Sequence, residues 1–293
     1  MASQLGQSLW GFSAQNEPLA HGHMWDCCGY TLDRYISFVT EYLMPRMKAD
    51  HPRLHFLVFD HNPDAIEAWV GASYEHSELR EWAWGAAVHW YSEESRRGVA
   101  LNNTHKSAPD KPKSVGEKYG VGLMQYLQNW AVGFTDWNLV LDAQGGPSHD
   151  RRFGCNAALM VCPANQSYCQ PGSVVYQAPF FHLAHFSKFL PPGSVVVGAM
   201  VYDDKDDPGK TPAPPGSFFY PVGAEGADGS LGVLAALQPN GTTVVVALNT
   251  GDDAVAYTLR DPRVQVASEG VRLSAHATIN IPAHSIQTIR YNV

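Results

Sequence analysis

The sequence predicts an α/β domain built on a parallel, barrel-type sheet, followed by an all-β antiparallel sandwich. Three observations carry this reading. An aromatic-rich apolar run, Trp10-Gly11-Phe12-Ser13-Ala14-Gln15-Asn16-Glu17-Pro18, ends abruptly in an amide, a carboxylate and a proline. From there to Tyr91, strand-like and helix-like apolar patterns alternate, which is the order of a parallel sheet. Past Gly193 the texture changes to short β-branched runs divided by turn residues, with no helical period between them.

The first run is too short and too bounded by Gly and Pro for a helix, so it reads as a strand. Pro18 has no amide hydrogen to continue a ladder, so pairing should stop where Glu17 appears. Glu17 then stands at a strand's carboxyl end, where parallel α/β barrels build their active sites. After a Gly/His/Cys-rich loop to Tyr30, the spacing of Tyr35, Phe38, Val39, Tyr42, Leu43 and Met47 predicts a helix over 34–50. Leu54 to Phe59 is a buried strand ending in Asp60-His61-Asn62-Pro63, a helix follows around 65–72, and 85–91 is a third strand. Residues 92–116 are polar and Pro-bearing and read as a loop. A long helix over 117–130 leads to a strand over 131–141 that carries Thr135-Asp136-Trp137-Asn138, closed by the Gly145-Gly146-Pro147 turn. A last helix, 179–190, is ended by Pro191-Pro192-Gly193. Sandwich strands are expected over 195–202, 231–237, 243–248, 254–259 and 285–291, with 203–216 a surface loop. The boundary between barrel part and sandwich therefore falls at 190/191.

Composition bounds the function. The chain has 293 residues, 45% of them hydrophobic, enough for one large core or two modest ones. Twenty Lys and Arg against 28 Asp and Glu give a formal charge of −8 with no basic stripe, so nucleic acid is not an expected partner. No apolar run approaches the roughly 20 residues of a membrane span, and Met1 to Trp10 lacks a secretory signal. Eight Trp and 13 Tyr suit sugar faces and core packing equally. Among five cysteines, one bridge is expected within the cluster Cys155, Cys162 and Cys169. N-x-[ST] triplets stand at Asn102, Asn165 and Asn240.

Three strand ends offer polar groups to one rim: Asn16-Glu17, His89-Trp90-Tyr91 and Asp136-Trp137-Asn138. A carboxylic acid among amide, phenol and indole groups suits glycoside hydrolysis, in which one carboxyl protonates the leaving oxygen. A structural, hydrogen-bonding Glu17 is the competing reading. Other constellations weigh less. His21, His23, Cys27 and Cys28 match no common zinc spacing. His182 and His185 read as packing or surface residues, and Asp203 to Asp207 lacks the alternation of a calcium loop. No metal or other cofactor is expected.

Together with Phe59-Asp60-His61-Asn62, Ala87-Val88-His89-Trp90-Tyr91, Gly116-Glu117-Lys118-Tyr119-Gly120, Gly133 to Asn138, Gly145-Gly146-Pro147 and His182 to Phe189, the opening run resembles glycoside hydrolase family 30, the glucosylceramidase family. The resemblance runs in order along almost the whole chain. It implies a (β/α)8 TIM barrel, here partial, with an attached β-sandwich, and retaining cleavage of β-glucosides, especially glucosylceramide. It also implies a secreted or lysosomal setting and leaves room for peripheral contact with lipid surfaces. Glu17 then resembles the general acid/base and Asn16 the residue that contacts the sugar's 2-hydroxyl. Tyr91 and Trp137 match aromatic residues of the sugar pocket. Asp136 matches a carboxylate that binds sugar hydroxyls or supports the pocket, and His89, Trp90 and Asn62 are lesser rim candidates. Arg152 stands where the family often has a sugar-contacting Asn.

Two departures follow from the same comparison of motifs. Only Met1 to Leu9 precede what resembles the fourth strand, so strands one to three are expected to be missing. No Ser/Thr-Glu-Ala-Cys-like nucleophile motif lies between Tyr91 and Gly116, and Glu93, Glu94 and Glu117 are poor substitutes for it. Little or no hydrolysis is therefore expected of this chain. A relative acting on another β-linked glycan, such as a β-1,6-glucan, and a non-catalytic carbohydrate-binding protein are the alternatives.

Overall fold

The computed structural model describes residues 9–20, 28–89, 112–147, 155–164, 167, 169–199, 201, 231–268 and 271–293. The chain divides into two compact units, Met1–Leu101 and Asn102–Val293.

The first unit is a three-stranded parallel sheet with helices between its strands. Strand β1 (Gly11–Ser13) pairs with β2 (His55–His61), and β2 with β3 (Ala83–Val88), in the order β1-β2-β3. The connection from β1 runs through α1 (Leu32–Ser37), a π-helical turn over Phe38–Leu43 and α2 (Met44–Asp50). Thr31 caps α1 by accepting the Arg34 amide. Pro45 opens α2 directly after the π turn, and a widened turn fits a residue that cannot donate to the preceding helix. From β2 the chain passes through a 3₁₀ turn, Pro63–Ala65, then α3 (Ile66–Glu75) and α4 (Ser77–Trp82). Tyr35, Val39, Phe56, Val58, Trp69 and Leu79 make the core, with Phe56 stacked on Trp82 at a centroid distance of 4.3 Å. The predicted β-α-β-α-β order thus holds, and its third strand begins and ends earlier than expected, at Ala83 and Val88.

The second unit packs two helices on an antiparallel sheet. Helix α5 (Pro112–Gln128) starts five residues before the expected Glu117. Strands β4 (Val140–Leu141), β5 (Leu159–Val161) and β6 (Val174–Tyr176) form a small sheet, and α6 (Ala178–Ser187) follows. The large sheet has the order β12-β9-β8-β7, from β7 (Val195–Val197), β8 (Leu231–Leu237), β9 (Thr243–Asn249) and β12 (Ser285–Tyr291). All seven residues of β9 are buried, which accounts for its unbroken run of Val, Ala and Leu. Leu123 and Met124 of α5 and Phe186 of α6 close one core with Leu234, Val246 and Leu248 of that sheet. β10 (Val255–Ser268) and β11 (Val271–Ile281) make a long antiparallel pair, and β5, β6 and β11 were not anticipated from periodicity.

The strand expected over 131–141 is a correction. Only Val140 and Leu141 pair, with β5, while 131–139 runs without a described ladder partner and leaves Val132, Trp137 and Leu139 exposed. An apolar run becomes a strand only where a neighbouring strand supplies hydrogen bonds, and among the described residues the register with β5 reaches back only to Val140. Within the cysteine cluster, Cys162 is bridged to Cys169 while Cys155 is a free thiol, as one expected bridge required. Asn240 lies exposed in the β8–β9 turn, its Oδ1 accepting the Thr242 amide. His21, His23, Cys27, Asn102, Asn165 and Asp203 to Asp207 lie outside the described residues. Among described residues no helix is long and apolar enough to cross a membrane.

Candidate functional site

Glu17 does not end β1, which stops at Ser13; it sits four residues further on, in a turn. Its backbone is left-handed, with φ of 51°, and its amide donates to the Asp60 carbonyl at 2.9 Å. The bond crosses to the end of β2, where Phe59 and Asp60 are also left-handed, with φ of 80° and 69°. At this point the β2–β3 register slips between Phe59 and His61, a bulge that re-aims the Asp60 side chain. The amide of Phe59 leaves the ladder and donates to the hydroxyl of fully buried Tyr35 at 3.2 Å. Left-handed conformations at non-glycine residues cost on the order of 1–3 kcal/mol each and persist where surrounding contacts over-determine them.

His89 joins the two carboxylates. Its amide donates to the His61 carbonyl at 2.9 Å, which fixes the residue just past β3. Nδ1 lies 3.1 Å from Oε1 of Glu17, and Nε2 lies 3.0 Å from Oδ1 of Asp60. The other Asp60 oxygen accepts the Ser13 hydroxyl. Burial opposes a charge on His89, but the bonds to Asp60 and Glu17 outweigh it and hold the imidazole at about 9. Both ring nitrogens therefore donate at neutral pH. Burial would raise the Asp60 carboxyl, yet His89 and Ser13 hold it below its ordinary value. His61, pushed down by burial, is the neutral histidine of the pair, and its Nδ1 is buried without a partner, as is Oδ1 of Asn62.

This arrangement is a carboxylate tied through an imidazolium to a second, anchored carboxylate. Glu17 is thereby oriented, and a carboxyl so placed can exchange a proton with an oxygen of a bound molecule. Asp60 has both oxygens engaged, so it serves as an anchor and not as an attacking group.

The second unit holds another cluster. Oδ1 of Asp136 accepts the Tyr119 hydroxyl at 2.9 Å and the backbone amide of Trp137 at 2.9 Å. Its Oδ2 is buried with no partner. Trp137 is 72% exposed, an indole face open to solvent.

Of the residues singled out from sequence, Glu17 and His89 are brought into direct contact, and exposed Asn16 stands beside Glu17 in the same turn. Asp136 and Trp137 are joined through one carboxylate oxygen. Tyr91, Trp90 and Arg152 lie outside the described residues. Sequence reasoning missed Asp60, Ser13 and Tyr119 as members of these clusters. For Asp60 a signal existed, since an acid followed by His-Asn-Pro at a strand end repeats the pattern of Asn16-Glu17-Pro18.

Comparison with known proteins follows the same lines. The pattern of the glycosyl hydrolase family 30 TIM-barrel domain matches residues 2–190, and that of the family's β-sandwich domain matches residues 222–289. The chain is 28% identical over 285 residues to the lysosomal acid glucosylceramidase of Mus musculus, covering 89% of this chain and 49% of that protein. It is 25% identical over 297 residues to the endo-1,6-beta-D-glucanase BGN16.3 of Trichoderma harzianum, covering 95% of this chain and 53% of that one. The chain thus spans about half the length of these curated relatives. Among solved structures, SrfJ from Salmonella typhimurium shares the fold with a TM-score of 0.73 at 18% identity, over 99% of this chain and 59% of that one. The endo-beta1,6-glucanase BT3312 does so with a TM-score of 0.69 at 20% identity, over 99% and 60%.

Proposed function

The chain belongs to glycosyl hydrolase family 30, and on that footing we propose that it carries the acid/base half of a retaining β-glucosidase site of the glucosylceramidase type. In this reading residues 1–190 are the barrel part and 191–293 the sandwich. Glu17 is the general acid/base, Asn16 meets the sugar's 2-hydroxyl, Trp137 and Tyr91 hold sugar faces, and Asp136 supports the pocket. The observation that carries the reading is the Glu17–His89–Asp60 chain, which orients one carboxylate through a cationic imidazole at 3.1 and 3.0 Å.

Retaining cleavage requires a second carboxyl about 5–5.5 Å from the first to attack the anomeric carbon. Asp60 is committed to His89 and Ser13, and no Ser/Thr-Glu-Ala-Cys-like motif lies between Tyr91 and Gly116. The chain by itself therefore binds β-glucosides and turns them over slowly or not at all. Similarity to the Trichoderma glucanase supports a second reading, in which the bound glycan is β-1,6-linked glucan.

The test pairs binding with turnover on the purified chain. Glucosylceramide, an aryl β-glucoside and a β-1,6-linked gluco-oligosaccharide are titrated by calorimetry and assayed for released glucose. Binding without turnover is expected. Rapid glucose release abolished by Glu17→Gln would refute the impairment, no binding to any of the three would refute the sugar site, and preference for the oligosaccharide would favour the second reading.

A further inference from the structure

The segment between α5 and β4 presents an open indole at Trp137, 72% exposed. The Tyr119 hydroxyl donates to Asp136 and so ties the segment before Trp137 to the helix that precedes it. Tyr119 is itself anchored: it is 5% exposed on α5, and its ring meets Phe134 edge-on at 6.4 Å. Asp136 Oδ1 receives both the Tyr119 hydroxyl and the Trp137 amide, while Oδ2 is buried and bare.

We propose that Tyr119 is a positioning residue for Trp137, setting the angle at which the indole meets a pyranose ring by clamping the Asp136 carboxylate that holds the Trp137 amide. The inference rests on the reading of Trp137 as a sugar platform. Its physical basis is the asymmetry of the carboxylate. One buried oxygen goes without a donor, and Asp136 stays in that pose because its other oxygen holds two. Removing the Tyr119 hydroxyl leaves one donor on Oδ1 and nothing to oppose rotation of Oδ2 toward water. That rotation withdraws the acceptor from the Trp137 amide, and the indole loses its fixed presentation. A platform that must be ordered at binding holds its ligand more weakly than one ordered beforehand.

The experiment uses the full chain and phenyl β-glucoside as probe, with Tyr119→Phe, Trp137→Ala and the double variant. Affinity is read by calorimetry, and the Trp137 indole N–H is followed by NMR, assigned by its loss in Trp137→Phe. Trp137→Ala is expected to weaken binding at least tenfold and Tyr119→Phe roughly three- to tenfold, with the double variant no weaker than Trp137→Ala alone. Tyr119→Phe is also expected to shift and broaden the Trp137 indole resonance without sugar. Unchanged affinity in Trp137→Ala would overturn the sugar-platform reading and the inference with it. If Trp137→Ala weakens binding but Tyr119→Phe leaves the indole resonance in place, or adds its full effect in the double variant, the positioning role alone is overturned.

Discussion

His89 donates through Nδ1 to Oε1 of Glu17 at 3.1 Å, and the same ring donates through Nε2 to Asp60. One imidazolium thus joins the turn that holds Glu17 to the end of β2 at Asp60, 43 positions further along the sequence. This contact makes the site a chain of linked groups, and it ties the ionisation of the site to the stability of the first unit.

The pH dependence follows from the direction of each shift. His89 is held at about 9 against an ordinary 6.5, so its stabilisation is complete below about pH 6.5 and fades as pH rises through about 9. Asp60 is held below its ordinary value, so its contribution is present above about pH 4 and is lost on acidification. Stability should be flat between these limits and fall on the alkaline side by roughly 2–3 kcal/mol. His89→Gln should remove most of that alkaline slope. Urea unfolding from pH 6 to 10, followed by tryptophan fluorescence, checks it.

Tyr35→Phe deletes one oxygen from a fully buried side chain and leaves the Phe59 amide without its acceptor. The expected cost is about 1–3 kcal/mol, the penalty of an unsatisfied buried donor. Because Phe59 precedes Asp60 in the left-handed bulge, the variant should also speed hydrogen exchange at the Glu17 amide, which donates to the Asp60 carbonyl. Exchange measured by NMR or mass spectrometry reads both effects.

In the second unit, α5 and α6 approach closely at Gly116. A Cβ built there would collide with the His182 ring and meet the Ala178 Cβ at 2.9 Å. Gly116→Ala should therefore destabilise the unit by about 1–3 kcal/mol through overpacking, although alanine is the better helix former. Thermal unfolding of the variant beside Gly71→Ala, where a Cβ meets nothing within 4 Å, separates packing from propensity.

A third histidine links α5 to the β11–β12 turn. His284 contacts Glu117 through Nδ1 and Asp252 through Nε2, each at 2.8 Å, and these bonds raise its titration above 6.5. Its pairing is therefore complete below the ordinary histidine value and is released as pH rises past the raised one. An NMR titration of His284 should show a midpoint above 6.5 that drops in Glu117→Gln and drops again when Asp252→Asn is added.

Particular elements show what could be read from the chain. β8 and β12 have the predicted bounds because β8 is an aliphatic run stopped by Gln238-Pro239 and β12 mixes β-branched Ile286 and Thr288 with polar residues directly after the Pro282–His284 turn. Glu17 was visible as an acid beside Pro18 at the end of an apolar run, although β1 stops at Ser13, four residues before it. Its left-handed turn was not, since glycine is the residue that announces such a backbone and Glu17, Phe59 and Asp60 carry side chains. The His89–Asp60 contact depends on the parallel register of β2 and β3, which no local pattern specifies. Residues 131–139 look like a strand in isolation, and among the described residues no strand is registered against them.

The most direct measurement supplies the attacking group from solution. Phenyl β-glucoside, whose leaving oxygen needs a proton, is incubated with the chain with and without azide. A chain that holds the acid/base but no attacking carboxylate should release little glucose alone and form α-glucosyl azide when azide is present. That product should fall by about 10²–10⁴-fold in Glu17→Gln. Rapid glucose release without azide, or an azide product indifferent to Glu17→Gln, would contradict the account.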